Sequence, residues 1–587
     1  MQKPASYPAI CLLAFTLAML PGCASLSGQN ENESSAPDTE SPQQQASDVV
    51  TPEARYGDFE PDVLYQLLAA EIAAQRGHYN ITLANYLQAA RQSRDVGVVT
   101  RAMRIAQSLN VDQALQEMAA LWLELEPENL QPHRIATIQA IKNGDLKTAL
   151  DHMETIMNQG EDADFDSLAA MAAGLPESQQ KELLELYRQL AERHPDSAEI
   201  DYSIALLLKI TGEPEQALAR VDNLLERQPD FQPAIVLRGD LLYQTGQPGQ
   251  ALDYLTTHTR RFPENRPMGT LYARMLVSEG ELQAAQDEFH RILERYPDDD
   301  NLRLSHALVA LDNDQPELAR SELERLLERG RHSNQASYYL GRLEEDAGNA
   351  DDAIDYYHSV SQGDLFFPAL ARASALQADT GRLDDALAHL QRLRDQRPQQ
   401  AERLWLLETN LLLEQDMPEP ALTTVNQALT RFPANVELRY ARAMLLDSEG
   451  KTDRAIQDLE AILEQQPDNA VTLNALGYIL TTSTDRLEEA RGYIEEALRL
   501  DPDNPAILDS LGWVLFRQGD TEGALHYLSQ AWESYPDPEV AAHYGEALWV
   551  TGNREQARLI WEQGLEQAPD HGILRETIDR LTAGSDE

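Results

Sequence analysis

The sequence predicts an all-α solenoid, a superhelix of antiparallel helix pairs, and three observations lead there. At 587 residues the chain exceeds what one hydrophobic core organises, so it consists of several domains or grows by repetition. Ala, Leu, Glu, Gln and Arg dominate, aromatics make up only 6%, and β-branched runs are scarce, which favours helices over strands. A small-residue register recurs at a fixed period, the mark of a repeat array.

Residues 1–22 read as a targeting segment. Lys3 precedes the uncharged run Ala9 to Leu20, which ends in Leu20-Pro21-Gly22-Cys23. That run is too short for a permanent bilayer span. Its ending resembles the lipobox of bacterial lipoproteins, although Pro21 stands where that family has a small or hydroxyl residue. The resemblance implies cleavage before Cys23, acylation of Cys23 and a lipid anchor. Ala24 is not the aspartate that signals inner-membrane retention in that family, which implies the outer membrane with the body facing the periplasm. Cys11 and Cys23 are the only cysteines, so the mature chain would keep one thiol and no disulfide.

Residues 23–58 are rich in Ser, Gln, Asn, Glu, Pro and Thr, with little to bury, and are expected to form a flexible linker. Such a linker reaches roughly 30 Å. The formal charge of −50 argues against nucleic acid and anionic lipid surfaces, which demand clustered basic residues.

From residue 201 to 570 the register is regular. In Leu508 to Pro536, Gly512 permits close approach of two helices, Ala524 and Ala531 are small contacts on the second helix, and Pro536 starts the next turn. Gly519-Asp520 between them is a helix stop followed by a helix-starting acid. The second-helix alanine recurs at Ala114, Ala149, Ala217, Ala251, Ala285, Ala319, Ala353, Ala386, Ala421, Ala455, Ala490, Ala524 and Ala557. Leu183 fills the slot missing between Ala149 and Ala217, and in the repeat of Gly477 one extra residue enters the turn Thr481 to Arg486. Residues 59–200 are expected to hold degenerate repeats, and Ile573 to Leu581, within 571–587, suits a capping helix. The pattern resembles the tetratricopeptide repeat.

No phosphate loop, H-E-x-x-H, G-x-S-x-G or C-x-x-C occurs. His526 and His543 read as surface or packing residues. Asp162, Asp164 and Asp166 have Ser167 and Ala173 where a calcium loop needs Gly and Glu, so they read as a solvated turn. Neither catalysis nor a metal, a cofactor or a small-molecule substrate is expected.

Tetratricopeptide proteins line a groove with the first helix of each pair, at positions three before and one, four and five after the small residue. The resemblance places Tyr243, Tyr338, Arg342, Tyr440, Met444, Asn474, Tyr478, Asp509, Trp513, Arg517 and Trp549 there. Tyr, Trp and Arg dominate binding hot spots. Neighbouring repeats lack the paired basic residues that clamp a peptide carboxylate, so the expected partner is a folded surface or helix. The whole layout is similar to outer-membrane adaptor lipoproteins of pseudomonad-like bacteria, which bring a periplasmic carboxyl-terminal processing protease to its cell-wall hydrolase substrates. The resemblance implies that role. The alternative is a scaffold for an outer-membrane assembly or export machine handling polysaccharide, a pilus or a secretin.

Overall fold

A computed structural model describes residues 59–583. Thirty-one α-helices are present among them, with no strand. The first thirty form fifteen consecutive antiparallel pairs, and the last, Gly572–Thr582, stands alone. The chain divides into two compact units, one ending at Leu302 and the other beginning at Arg303.

In the first unit, pairs run from Pro61–Gln75 with Tyr79–Ser93 to Arg266–Ser278 with Leu282–Arg295. Their starts follow local chemistry, as where the Asn265 side chain accepts the Met268 N–H at 2.8 Å, satisfying a donor that the helix leaves open. The slot of Leu183 is fully buried, with a short first helix, Phe165–Met171, ahead of it. Before that helix the Asp162 side chain accepts the Asp164 N–H at 3.0 Å, so these two acids shape a turn, whereas Asp166 stands in the first turn of the helix itself. The pair Pro61–Gln75 with Tyr79–Ser93 escapes the alanine register because Thr82 holds the alanine slot. Thr82 is 2% exposed, and its hydroxyl donates to the carbonyls of His78 at 3.2 Å and Ala70 at 3.3 Å.

In the second unit the same rules build the pairs from residue 303 to Gln567. All register alanines from Ala319 to Ala557 are fully buried. Close approach is literal at Gly512, where an added Cβ would lie 2.6 Å from Leu528 Cγ. Gly519 ends that helix at φ 89°, a conformation that costs glycine little. Asp520 then caps the next helix by accepting the Gly523 N–H at 3.0 Å. The extra residue of the Gly477 repeat lengthens helix Ala470–Ser483, and Thr484 closes it by donating to the Leu480 carbonyl at 2.6 Å. Thr481 is therefore helical rather than part of the turn. Gly572–Thr582 covers the last pair, with Leu574 fully buried and its Cδ2 2.9 Å from the Cβ position of Gly564.

Arginines tie the pairs together. Arg442 bonds Asp458 at 2.7 and 2.6 Å, and Arg394 pairs with Glu408 while lying 3.7 Å over the Trp405 ring. Such buried pairs hold register because removing one partner leaves the other charge uncompensated.

Candidate functional site

A first helix in the second unit commits most of its circumference to the core and leaves a strip open. In Pro505–Gln518, Ile507 to Gly512, Val514 and Leu515 are buried, Trp513 and Phe516 are half-buried, and Arg517 is exposed. Three such helices, Ala470–Ser483, Pro505–Gln518 and Pro538–Val550, converge on His543.

His543 is 3% exposed. Its Nδ1 lies 2.9 and 3.1 Å from the two Asp509 carboxylate oxygens. Its ring stacks on Trp513 at 4.2 Å with 18° between planes, and Tyr478 stands 6.1 Å away with its hydroxyl donating to Glu539. Burial alone would depress the imidazolium, but the Asp509 carboxylate, with Glu539 and Glu546 behind it, raises the His543 pKa above its ordinary value. Burial, then the Glu539 charge, pushes the Tyr478 phenol far up. Acid and base are both shut away from solvent, so the cluster pins three helices and presents Trp513 rather than moving protons to a substrate.

The spacing that selects eleven positions meets two outcomes. Trp513, Tyr478, Tyr440, Met444, Tyr338 and Tyr243 are half-buried, and Arg342 and Arg517 are exposed. The Arg517 guanidinium donates to the Thr481 carbonyl at 3.0 Å, Tyr243 donates to Glu279 at 2.9 Å, and Tyr338 packs edge-on against Tyr339 at 5.3 Å. Asn474 is half-buried and its buried Oδ1 has no hydrogen-bond partner, an acceptor left open. Asp509 and Trp549, by contrast, are buried, at 5% and 7% exposure. The first is consumed by His543. Trp549 packs on Trp561 at 5.3 Å, with the Arg554 guanidinium 5.0 Å and the Arg558 guanidinium 5.5 Å from its ring centroid. Their side chains serve the stack and are corrected out of the open strip. Cys23 lies outside the described residues.

Two features escape the sequence reading. From sequence His543 is a surface or packing residue, although its spacing of 34 from Asp509, one repeat, signals facing positions. The second is a cavity of about 570 Å³ on Phe366–Asp379 and Ala401–Glu414, lined by Phe367, Leu406, Leu407, Asn410, Glu414 and Arg403 among others. Arg403 lies 3.8 Å over the Phe367 ring. Leu406, Asn410 and Glu414 occupy the groove positions if Thr409 is read as the small residue, twelve before Ala421. No group of three or more His, Cys, Asp or Glu side chains among the described residues is arranged to hold a metal ion.

Comparison with known proteins matches the tetratricopeptide repeat family models to residues 211–266, 236–300, 304–360, 406–470 and 440–505, and to 481–542 and 515–575. Together these cover more than half of the chain. The TPR repeat-containing protein PA4667 of Pseudomonas aeruginosa is 37% identical over 574 residues, spanning 98% of this chain and 96% of the relative. Among solved structures, a thermophilic tetratricopeptide protein of Thermus thermophilus is 22% identical with a TM-score of 0.29, covering 31% of this chain and all of its own. The Naa15/Naa10 complex bound to HypK-THB contains a chain 11% identical with a TM-score of 0.35, covering 89% of this chain and 96% of that one.

Proposed function

We propose a function from one premise: this chain belongs to the tetratricopeptide repeat family. It is a protein-binding scaffold, and no catalytic family is indicated. The finer reading is an adaptor anchored through Cys23 to the outer membrane, which holds a periplasmic carboxyl-terminal processing protease next to its cell-wall hydrolase substrates. The observation that supports binding is the strip of first-helix residues in the second unit, where Trp513, Tyr478, Tyr440 and the open acceptor of Asn474 sit near the groove register. A half-buried tryptophan stacked on both His543 and Phe516 is rigid before any partner arrives, so little conformational entropy is lost on binding. The support for a protease partner and for the membrane is the lipobox-like Leu20-Pro21-Gly22-Cys23 followed by repeats filling the remaining length.

Crosslinking in intact envelopes, followed by purification of the full chain, tests the reading. The expected result is recovery of a processing protease and a hydrolase with the parent chain, with at least a tenfold loss of the hydrolase for Trp513→Ala. A secretin or polymer synthase in their place would replace the adaptor with an assembly scaffold, and Cys23→Ser chains that stay membrane-bound would remove the anchor.

A further inference from the structure

The first helix, Pro61–Gln75, carries an apolar face that nothing in the described chain covers. Leu64, Tyr65, Leu68 and Ile72 are 50%, 72%, 56% and 49% exposed, and Tyr79 and Ile81 beside them are 55% and 53% exposed. The repeat register explains the face. Ala70 holds the small-residue position, twelve before Thr82, so Tyr65, Leu68 and Ile72 stand five before, two before and two after it. In helix Gln232–Gln244 those positions are Ala234, Leu237 and Leu241, buried in one cluster with Val221 and Leu224 of the preceding second helix. In Pro505–Gln518 they are Ile507, Ser510 and Val514, all buried, with Ile507 and Val514 in one cluster with Ile494 and Ala497 of the preceding second helix. The exposed face is therefore a seat for a helix, of the kind that internal pairs fill from the repeat before.

We propose that a second copy of this chain fills the seat, the two first helices crossing antiparallel about a two-fold axis at Leu68. The ridge at spacing four reads Glu60, Leu64, Leu68, Ile72, Arg76. Reversed onto itself, this order is complementary: Leu68 meets Leu68, Leu64 meets Ile72, and Glu60 meets Arg76. Glu60 and Arg76 are exposed and form no ion pair within the described chain. A contact of one patch with itself closes at two copies. On a chain of formal charge −50, a ridge with one acid and one base lets two copies meet with opposite charges facing. Six large apolar side chains present several hundred Å² per copy, below the roughly 800 Å² per partner of a standard interface. The dimer is accordingly weak, with a dissociation constant on the order of micromolar or above.

Cysteine pairing and charge exchange on the full chain in detergent test the axis. Leu68→Cys is expected to form a disulfide-linked dimer by itself. Leu64→Cys or Ile72→Cys alone is expected to stay uncoupled, since equivalent residues stand on the order of 12 Å apart along antiparallel helices, whereas a mixture of the two couples. Sedimentation velocity across 1 to 100 micromolar, as an order-of-magnitude range about the expected dissociation constant, should show dimerisation of the parent chain. Glu60→Arg or Arg76→Glu alone should weaken it at least threefold, and both in one chain should restore it. A monomer throughout that range with no Leu68→Cys product overturns the proposal. So does Leu64→Cys coupling to itself as readily as Leu68→Cys, which would mean a different register or a foreign helix in the seat.

Discussion

At the carboxyl-terminal end of the molecule, Leu574 of helix Gly572–Thr582 is fully buried over the last pair; at the amino-terminal end, Tyr65, Leu68 and Ile72 lie at 72%, 56% and 49% exposure. Both ends face the same demand, because each pair has apolar surface that only a neighbour can cover. The difference follows from polarity: a stack of pairs ends in a second helix at one side and a first helix at the other. An amphipathic helix supplied by the chain closes the former. Among the described residues the latter keeps open the surface that internal first helices bury, so one end is covered and the other is not.

The sharpest way to break that contrast is to truncate one leucine at each end. Leu574→Ala should destabilise the last pair by about 2 to 5 kcal/mol, seen as lost hydrogen-exchange protection over residues 538–567. Leu68→Ala should cost no more than about 0.5 kcal/mol. Equal losses would mean that the amino-terminal face is covered after all.

A second contrast lies in proton linkage. The His543 pKa is raised in the folded chain, so its contribution is fully present below the ordinary value of 6.5 and is lost as pH rises through the folded value. Exchange protection of helix Pro538–Val550 should fall across that window. Asp509→Asn, which leaves a buried imidazolium without its counter-charge, should cost about 3 kcal/mol at acid pH and flatten the slope. Protection that instead climbs with pH would reverse the assignment of charge to the pair.

Smaller effects sharpen the picture. Tyr478→Phe removes one hydrogen bond to Glu539 and should cost about 1 to 2 kcal/mol in chemical denaturation. Thr82→Ala, placing alanine in an alanine slot, should change stability by less than about 1 kcal/mol. A loss of several kcal/mol there would show that the first pair is held together unlike the others.

Much of the fold was legible because packing acts at fixed spacing: Ala217 to Ala557 mark second helices that must touch a first helix closely. The first pair was hidden where Thr82 stands for alanine and Arg94 for the closing proline. The open strip was legible in part. Trp513 and Arg517 follow from register alone, but the burial of Trp549 depends on Trp561 and two arginines closing over it. Glu539 meets Tyr478 from 61 residues away, a distance at which pairing depends on how successive repeats stack. The cavity at Leu406 and Leu407 escaped because threonine at 409 conceals the register.

The stacking of Trp513 on His543 also equips the molecule with an optical gauge. A protonated imidazole flat against an indole quenches its emission, so the fluorescence of this one tryptophan should brighten as His543 loses its proton. In a chain with five other tryptophans, the difference from Trp513→Phe isolates that signal, which reports the state of three helices at once, without any label.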